Sequence, residues 1–191
     1  MAEATDNGQD EPTGFGLPNW VTFCRLLMAA FIGGLAAPGA ASGTLDAREA
    51  WIWCAVAVIA LALDGLDGWL ARRLKRETPF GARFDMETDA FLMLVLSLLV
   101  WLMGKAGPWV LAIGLMRYVF VGAGVVWPRL NGALPESLRR KAVCVFAVAA
   151  LAILIMPVVV PPGSVILAAA ALALLAYSFA LDTVWLVRQP H

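Results

Sequence analysis

Histidine is nearly absent from this 191-residue chain, and the single one, His191, is the last residue. Ser-His-Asp, Cys-His and histidine-ligated metal chemistry are thereby excluded together. Cysteine is scarce as well. Cys24, Cys54 and Cys144 lie far apart in apolar surroundings, odd in number and without a C-x-x-C pair, so neither a disulfide framework nor a zinc site is expected, and they read as small core residues. Charged residues make up only 15% of the chain, against about 25% in an average soluble domain. The 14 Lys+Arg balance the 14 Asp+Glu, so no overall basic field recommends a nucleic-acid partner. No basic residue precedes Arg25, so the positive n-region of a signal peptide is missing. Residues 1–14, with Glu3, Asp6, Asp10 and Glu11, read as a disordered acidic tail.

What remains is apolar and long: 61% of residues are hydrophobic, too many for one aqueous core to absorb. Six apolar segments, near 19–37, 51–71, 86–104, 108–127, 141–160 and 164–187, are separated by Pro, Gly and charge clusters. Most suffice for a helix crossing about 30 Å of hydrocarbon. The expected fold is an all-α, polytopic membrane protein with six transmembrane helices, formed by residues 15–191. The first span is marginal, because Arg25 leaves only 26–37 as an uninterrupted apolar run, which places its N-terminal turns at the interface. The Lys/Arg distribution sets the orientation. Eleven basic residues (Arg25, Arg72, Arg73, Lys75, Arg76, Arg83, Arg129, Arg139, Arg140, Lys141 and Arg188) fall on one side, two (Arg48 and Lys105) on the other, and Arg117 within a span. Both termini are therefore expected in the cytoplasm, and the location is read as a bacterial inner membrane.

The chemistry-bearing segment joins the second and third spans. Asp64 and Asp67 are three residues apart, and Asp85 and Asp89 four, so on helices each pair projects from one face. Two helices joined by a tight loop can converge these four acids at the cytoplasmic end, whereas Glu87 falls off that face. A charge at membrane depth costs at least about 2.5–3.5 kcal/mol, so a gathered set needs cations. Hard divalent ions, Mg²⁺ or Mn²⁺, suit an all-oxygen cluster and keep positions open for phosphate oxygens. In the competing reading the acids are interfacial and solvated, paired with Arg72, Arg73, Lys75 and Arg76. That reading leaves Gly65 and Gly68 unexplained. Each costs about 1 kcal/mol in helix propensity, as expected where a ligand or a neighbouring backbone comes close.

Asp64, Asp67, Gly68, Ala71, Arg72, Gly81, Asp85 and Asp89 match all eight fixed positions of D-x-x-D-G-x-x-A-R-x8-G-x3-D-x3-D. In this the chain resembles the CDP-alcohol phosphatidyltransferases, in the style of the phosphatidylglycerophosphate synthase-like members. A weaker match, Asn19-x-x-Thr22-x-x-Arg25, resembles the start of that family's first span, and its plainer reading is a polar helix cap. The resemblance implies a donor such as CDP-diacylglycerol, an alcohol acceptor whose hydroxyl attacks the lipid-bonded phosphorus, release of CMP, and a homodimer in membrane lipid. It implies Asp64, Asp67, Asp85 and Asp89 as ligands of two Mg²⁺ or Mn²⁺ ions, with Asp89 also taking the acceptor's proton. Asn19, Thr22, Gly68, Arg72 and Thr78 become donor-binding positions, and Gly81 a tight start for the third span.

The acceptor is marked only by distant basic residues. Arg117 lies mid-span, where a guanidinium must face protein or a wet cavity, and Arg139, Arg140 and Lys141 open the fifth span. Arg117, Arg139 and Lys141 are the candidate acceptor contacts. A structural ion pair for Arg117 and positive-inside anchoring for the triplet are the competing readings. Glycerol 3-phosphate leads among acceptors, ahead of inositol phosphate, serine or another alcohol. A divalent-cation carrier is the alternative from a different class, disfavoured because the acids cluster at one end and no acid continues a path through another span.

Overall fold

The computed structural model describes residues 17–74, 79–127, 132 and 137–188, with the side chains of 17–19, 66–74 and 79–80 excepted. These residues form six helices and, among those described, no strand: α1 (Leu17–Ser42), α2 (Ala47–Leu74), α3 (Pro79–Leu102), α4 (Leu111–Val126) after a 3-10 turn Pro108–Val110, α5 (Leu138–Ile155) and α6 (Gly163–Arg188). Three stretches, Trp20–Ser42, Pro108–Val126 and Gly163–Arg188, are long and apolar enough to cross a membrane.

Several boundaries differ from the expected spans, and each difference has a local cause. α1 runs on to Ser42 and stops at Gly43, whose φ of +70° is the left-handed conformation that glycine adopts freely. There the Gly43 N–H donates to Ala40 O and the Thr44 N–H to Gly39 O, the paired bonds of a Schellman ending. α2 starts with a reciprocal cap, Glu49 N–H donating to Asp46 Oδ1 at 2.7 Å and Asp46 N–H to Glu49 Oε2 at 3.1 Å. α3 begins at Pro79, seven residues before the apolar segment expected near 86 and two before the expected Gly81 start, with Asp85 and Asp89 inside the helix as their spacing requires. α5 ends at Ile155 rather than near 160, because Met156 precedes Pro157 and takes ψ 133°, out of the helical region.

Packing is organised by small residues. The buried stripe of α1 is Thr22, Arg25, Ala29, Ile32, Ala36 and Ala40, that of α2 is Ala50, Cys54, Ala57 and Ala60, and that of α6 includes Ser164, Ala168, Ala171, Leu175, Ser178 and Asp182. Large apolar residues of the same helices, such as Leu27, Phe31, Ile52, Ile59, Ile166 and Tyr177, are exposed. With lipid as solvent, close backbone approach rather than apolarity selects the inner face. Gly33 of α1 faces α3, an added Cβ there lying 3.5 Å from Val95. Cys24 is exposed and Cys144 half-buried, so of the three thiols only Cys54 is a core residue.

α3 is the central helix, in contact with α1, α4 and α5. At the end away from the carboxylates, the buried Lys105 donates to Met156 O and Val159 O, while Ser164 Oγ donates to Lys105 O. Burial holds this ammonium below the usual lysine range.

Candidate active site

Three helices, α1, α2 and α3, deliver the members of the site. Asp64 follows Ala60 by four residues on α2, and Asp85 and Asp89 sit one turn apart near the start of α3. Arg25 stands between Thr22 and Ala29 on the inner face of α1. Because α1, α2 and α3 alternate in direction, the start of α1, the end of α2 and the start of α3 meet at one end of the bundle.

There the carboxylates of Asp64, Asp85 and Asp89 present oxygens all within 4.8 Å of one another. Arg25, only 1% exposed, bridges them: Nη1 stands 2.9 Å from Asp64 Oδ1 and 2.6 Å from Asp85 Oδ1, and Nη2 pairs with Asp89 Oδ1. The sequence reading placed Arg25 at the membrane interface and counted it among the cytoplasmic anchors. The structure adds that its guanidinium is buried among the acids at this end of the bundle. The missed signal is the stripe itself, visible as a three- and four-residue spacing of small residues through Arg25.

The donor set fits a hard divalent cation. It consists of carboxylate oxygens from two helices, half-buried, and among the described residues it is the one group of at least three acidic, histidine or cysteine side chains so arranged. Asp67, the fourth expected ligand, lies on α2 with its side chain outside the described residues, as do those of Gly68 and Arg72. The Asn19 side chain and all of Thr78 are likewise outside. Thr22 is buried on the face of α1 that carries Arg25. At Gly65 an added Cβ would meet no described residue within 4 Å.

The basic residues expected at the acceptor divide between two partners. Arg117 on α4 reaches across to α3, Nη2 standing 2.6 Å from Glu87 Oε1, and its buried Nε has no hydrogen-bond partner among the described residues. Glu87, set aside in the sequence reading, is thus the residue that orients Arg117. Arg139 on α5 turns to α6, donating to Asp182 Oδ1 at 2.5 Å and to Ser178 O at 3.1 Å, with Arg140 Nη1 4.0 Å from Asp182 Oδ2. Lys141 is exposed at the start of the same helix. Cys144, one turn further along, lies within electrostatic reach of Asp89, Asp64, Arg117 and Arg140. Each of these arginines thus faces a carboxylate outside the Asp64, Asp85 and Asp89 group, Arg117 at Glu87 and Arg139 and Arg140 at Asp182. Asp182, held by arginines, adds nothing to a carboxylate path across the bundle.

The sequence profile of the family described as CDP-alcohol phosphatidyltransferase matches residues 15–181, most of the chain and every element of the site just described. The chain belongs to the CDP-alcohol phosphatidyltransferase family. Among curated relatives it is similar to a CDP-diacylglycerol–glycerol-3-phosphate 3-phosphatidyltransferase of Cereibacter sphaeroides, 33% identical over 113 residues, which is 56% of this chain and 48% of that protein. A protein of the same name from Pseudomonas fluorescens is 35% identical over 86 residues, 45% of this chain and 42% of the relative. The matched stretches thus span about half the length of these relatives or less. Family membership agrees with the signature from Asp64 to Asp89.

Proposed function

We propose that the protein transfers a phosphatidyl group from CDP-diacylglycerol to glycerol 3-phosphate and releases CMP. The observation that carries this reading is the convergence of Asp64, Asp85 and Asp89 at one end of a helical membrane-protein bundle, within the signature of its family. The relatives named for the glycerol 3-phosphate reaction support this acceptor. In the transfer, the acceptor hydroxyl oxygen bonds to the phosphorus that carries diacylglycerol, the diphosphate P–O bond breaks, and CMP departs with the bonding electron pair. The hydroxyl proton passes to the carboxylate of Asp89, which must lie within hydrogen-bond reach of it.

Asp64, Asp67, Asp85 and Asp89 would hold two divalent ions, Mg²⁺ or Mn²⁺. When bound, such ions neutralise the diphosphate and the charge developing on the leaving group. Gly68, Arg72, Thr78, Asn19 and Thr22 are proposed to receive the CDP-lipid, Arg72 through its planar fork. Arg117, with Arg139 and Lys141 nearer the surface, is proposed to hold the acceptor phosphate. All six helices are proposed to span the inner membrane, with both termini and the site on the cytoplasmic side and two copies forming a homodimer. The direct test incubates the full chain in phospholipid–detergent micelles with labelled CDP-diacylglycerol and a panel of acceptors. Glycerol 3-phosphate should yield phosphatidylglycerophosphate and CMP; exclusive use of serine or an uncharged alcohol would remove the phosphate-pocket assignment.

A further inference from the structure

We propose that Arg25 is a positioning residue of the reaction: its guanidinium, held from α1, fixes the carboxylates of Asp64, Asp85 and Asp89 relative to one another across two other helices. This rests on the reading of those acids as cation ligands, with Asp89 as base. Each carboxylate has a freedom of its own, because the terminal torsion of an aspartate is broad. Asp64 also belongs to α2, whereas Asp85 and Asp89 belong to α3. Arg25 spans that division: Nη1 stands 2.9 Å from Asp64 Oδ1 and 2.6 Å from Asp85 Oδ1, and Nη2 pairs with Asp89 Oδ1. The two nitrogens are joined in one rigid plane, so an oxygen of the proposed base is set against oxygens of two proposed ligands.

Burial makes this hold stiff. The guanidinium is shielded from water that would compete for its donors, and charge-assisted bonds of this kind are roughly twice as strong as neutral ones. α1 packs against both α2 and α3, which anchors the stem of the arginine to the helices whose acids it joins. Its contact with each acid is made through one oxygen, Oδ1. A carboxylate has two oxygens and about four lone-pair sites, so an acid held by Arg25 keeps the capacity to ligate a cation or, at Asp89, to meet a hydroxyl. Arginine and cation can therefore share these acids, the first orienting the groups that bind the second. Partners that orient ligating carboxylates from outside are typically worth about 10–100-fold in metal affinity or activity.

Arg25→Lys in the full chain isolates the fork, because it keeps the positive charge beside the acids but replaces the planar pair of nitrogens by a point contact. Mn²⁺ binding is followed by the loss of the free-ion EPR signal, and CMP release from CDP-diacylglycerol gives kcat and KM at saturating Mn²⁺, both well below the Tm of each protein in EDTA. The variant should bind Mn²⁺ about 10–100-fold more weakly than wild type and, even with Mn²⁺ saturating, show a kcat lowered about tenfold or more, with little change in KM for CDP-diacylglycerol. If either Mn²⁺ affinity or kcat stays at the wild-type level in the folded variant, whatever its Tm, the fork does not set the site, and the proposal is overturned while the proposed function stands. If wild type itself binds no Mn²⁺ or releases no CMP, the proposed function falls and takes the positioning role with it. Should Arg25→Lys fail to fold, Arg25→Gln is read by kcat alone, since loss of the charge also alters Mn²⁺ affinity. A fall of about tenfold or more supports the proposal, and a wild-type kcat overturns it. Failure of both variants to fold makes Arg25 an anchor of the bundle and likewise overturns it.

Discussion

Replacing Gly114 by alanine perturbs the site without touching any of its side chains. A Cβ at this position would stand 2.8 Å from both Leu94 N and Ser97 Oγ, and closer still to Leu94 Cα. The obstacle is helix backbone, which cannot turn aside as a flexible side chain would. Ordinary carbon contacts lie at about 3.5–4.0 Å, so α3 and α4 must part by about 1 Å. Overpacking of this kind costs about 1–3 kcal/mol, or roughly 2–4 °C in Tm per kcal/mol for a chain of this size. Asp89 lies five residues before Leu94, and Arg117 three residues after Gly114. The displacement is therefore felt by both the proposed base and the proposed acceptor contact, and a shift of about 1 Å can reduce turnover about a hundredfold. The assay pairs thermal unfolding in detergent with CMP release from CDP-diacylglycerol. Wild-type Tm and turnover in Gly114→Ala would refute both the α3–α4 packing and the reliance of the site on it.

Arg117→Ala should raise KM for glycerol 3-phosphate about tenfold or more, with little change for CDP-diacylglycerol, and Arg117→Lys should recover part of the loss. If Glu87→Gln alone reproduces the whole defect, Arg117 acts as a structural partner of Glu87. In a cysteine-free background, a cysteine at Gly43 should react with an impermeant thiol reagent from outside intact cells and one at Arg83 should not; the reverse pattern would invert the topology. Asp182→Asn leaves Arg139 without its carboxylate and should cost about 1–3 kcal/mol, read as a lower Tm. An unchanged Tm would show that the α5–α6 ion pair contributes nothing.

The carboxylates were legible in the sequence because helical spacing alone puts Asp85 and Asp89 on one face, and the structure joins them to Asp64. The role of Arg25 was not. In a soluble helix an inner face is marked by apolarity, but the outward Leu27 and Phe31 of α1 are more apolar than the inward Thr22, Arg25 and Ala29. The informative contrast is small against large. The start of α3 lies at Pro79, two residues before the Gly81 start that the resemblance implies, because proline fits the first helical position. Pro157, by contrast, carried the end of α5 in plain view. The ion pairs Arg117–Glu87 and Arg139–Asp182 join residues 30 and 43 positions apart, and only the packing of α4 on α3 and α6 on α5 brings them together.

CMP release under metal control tests the proposed chemistry most directly. Wild-type protein given CDP-diacylglycerol and glycerol 3-phosphate should release CMP in Mg²⁺, lose that activity in EDTA and regain it when Mg²⁺ or Mn²⁺ is restored. Asp89→Asn, folded as judged by its gel-filtration profile and helical circular dichroism, should show almost none under any condition. Full activity in a metal-free preparation, or substantial turnover by Asp89→Asn, would contradict the assignment of these carboxylates as the catalytic centre.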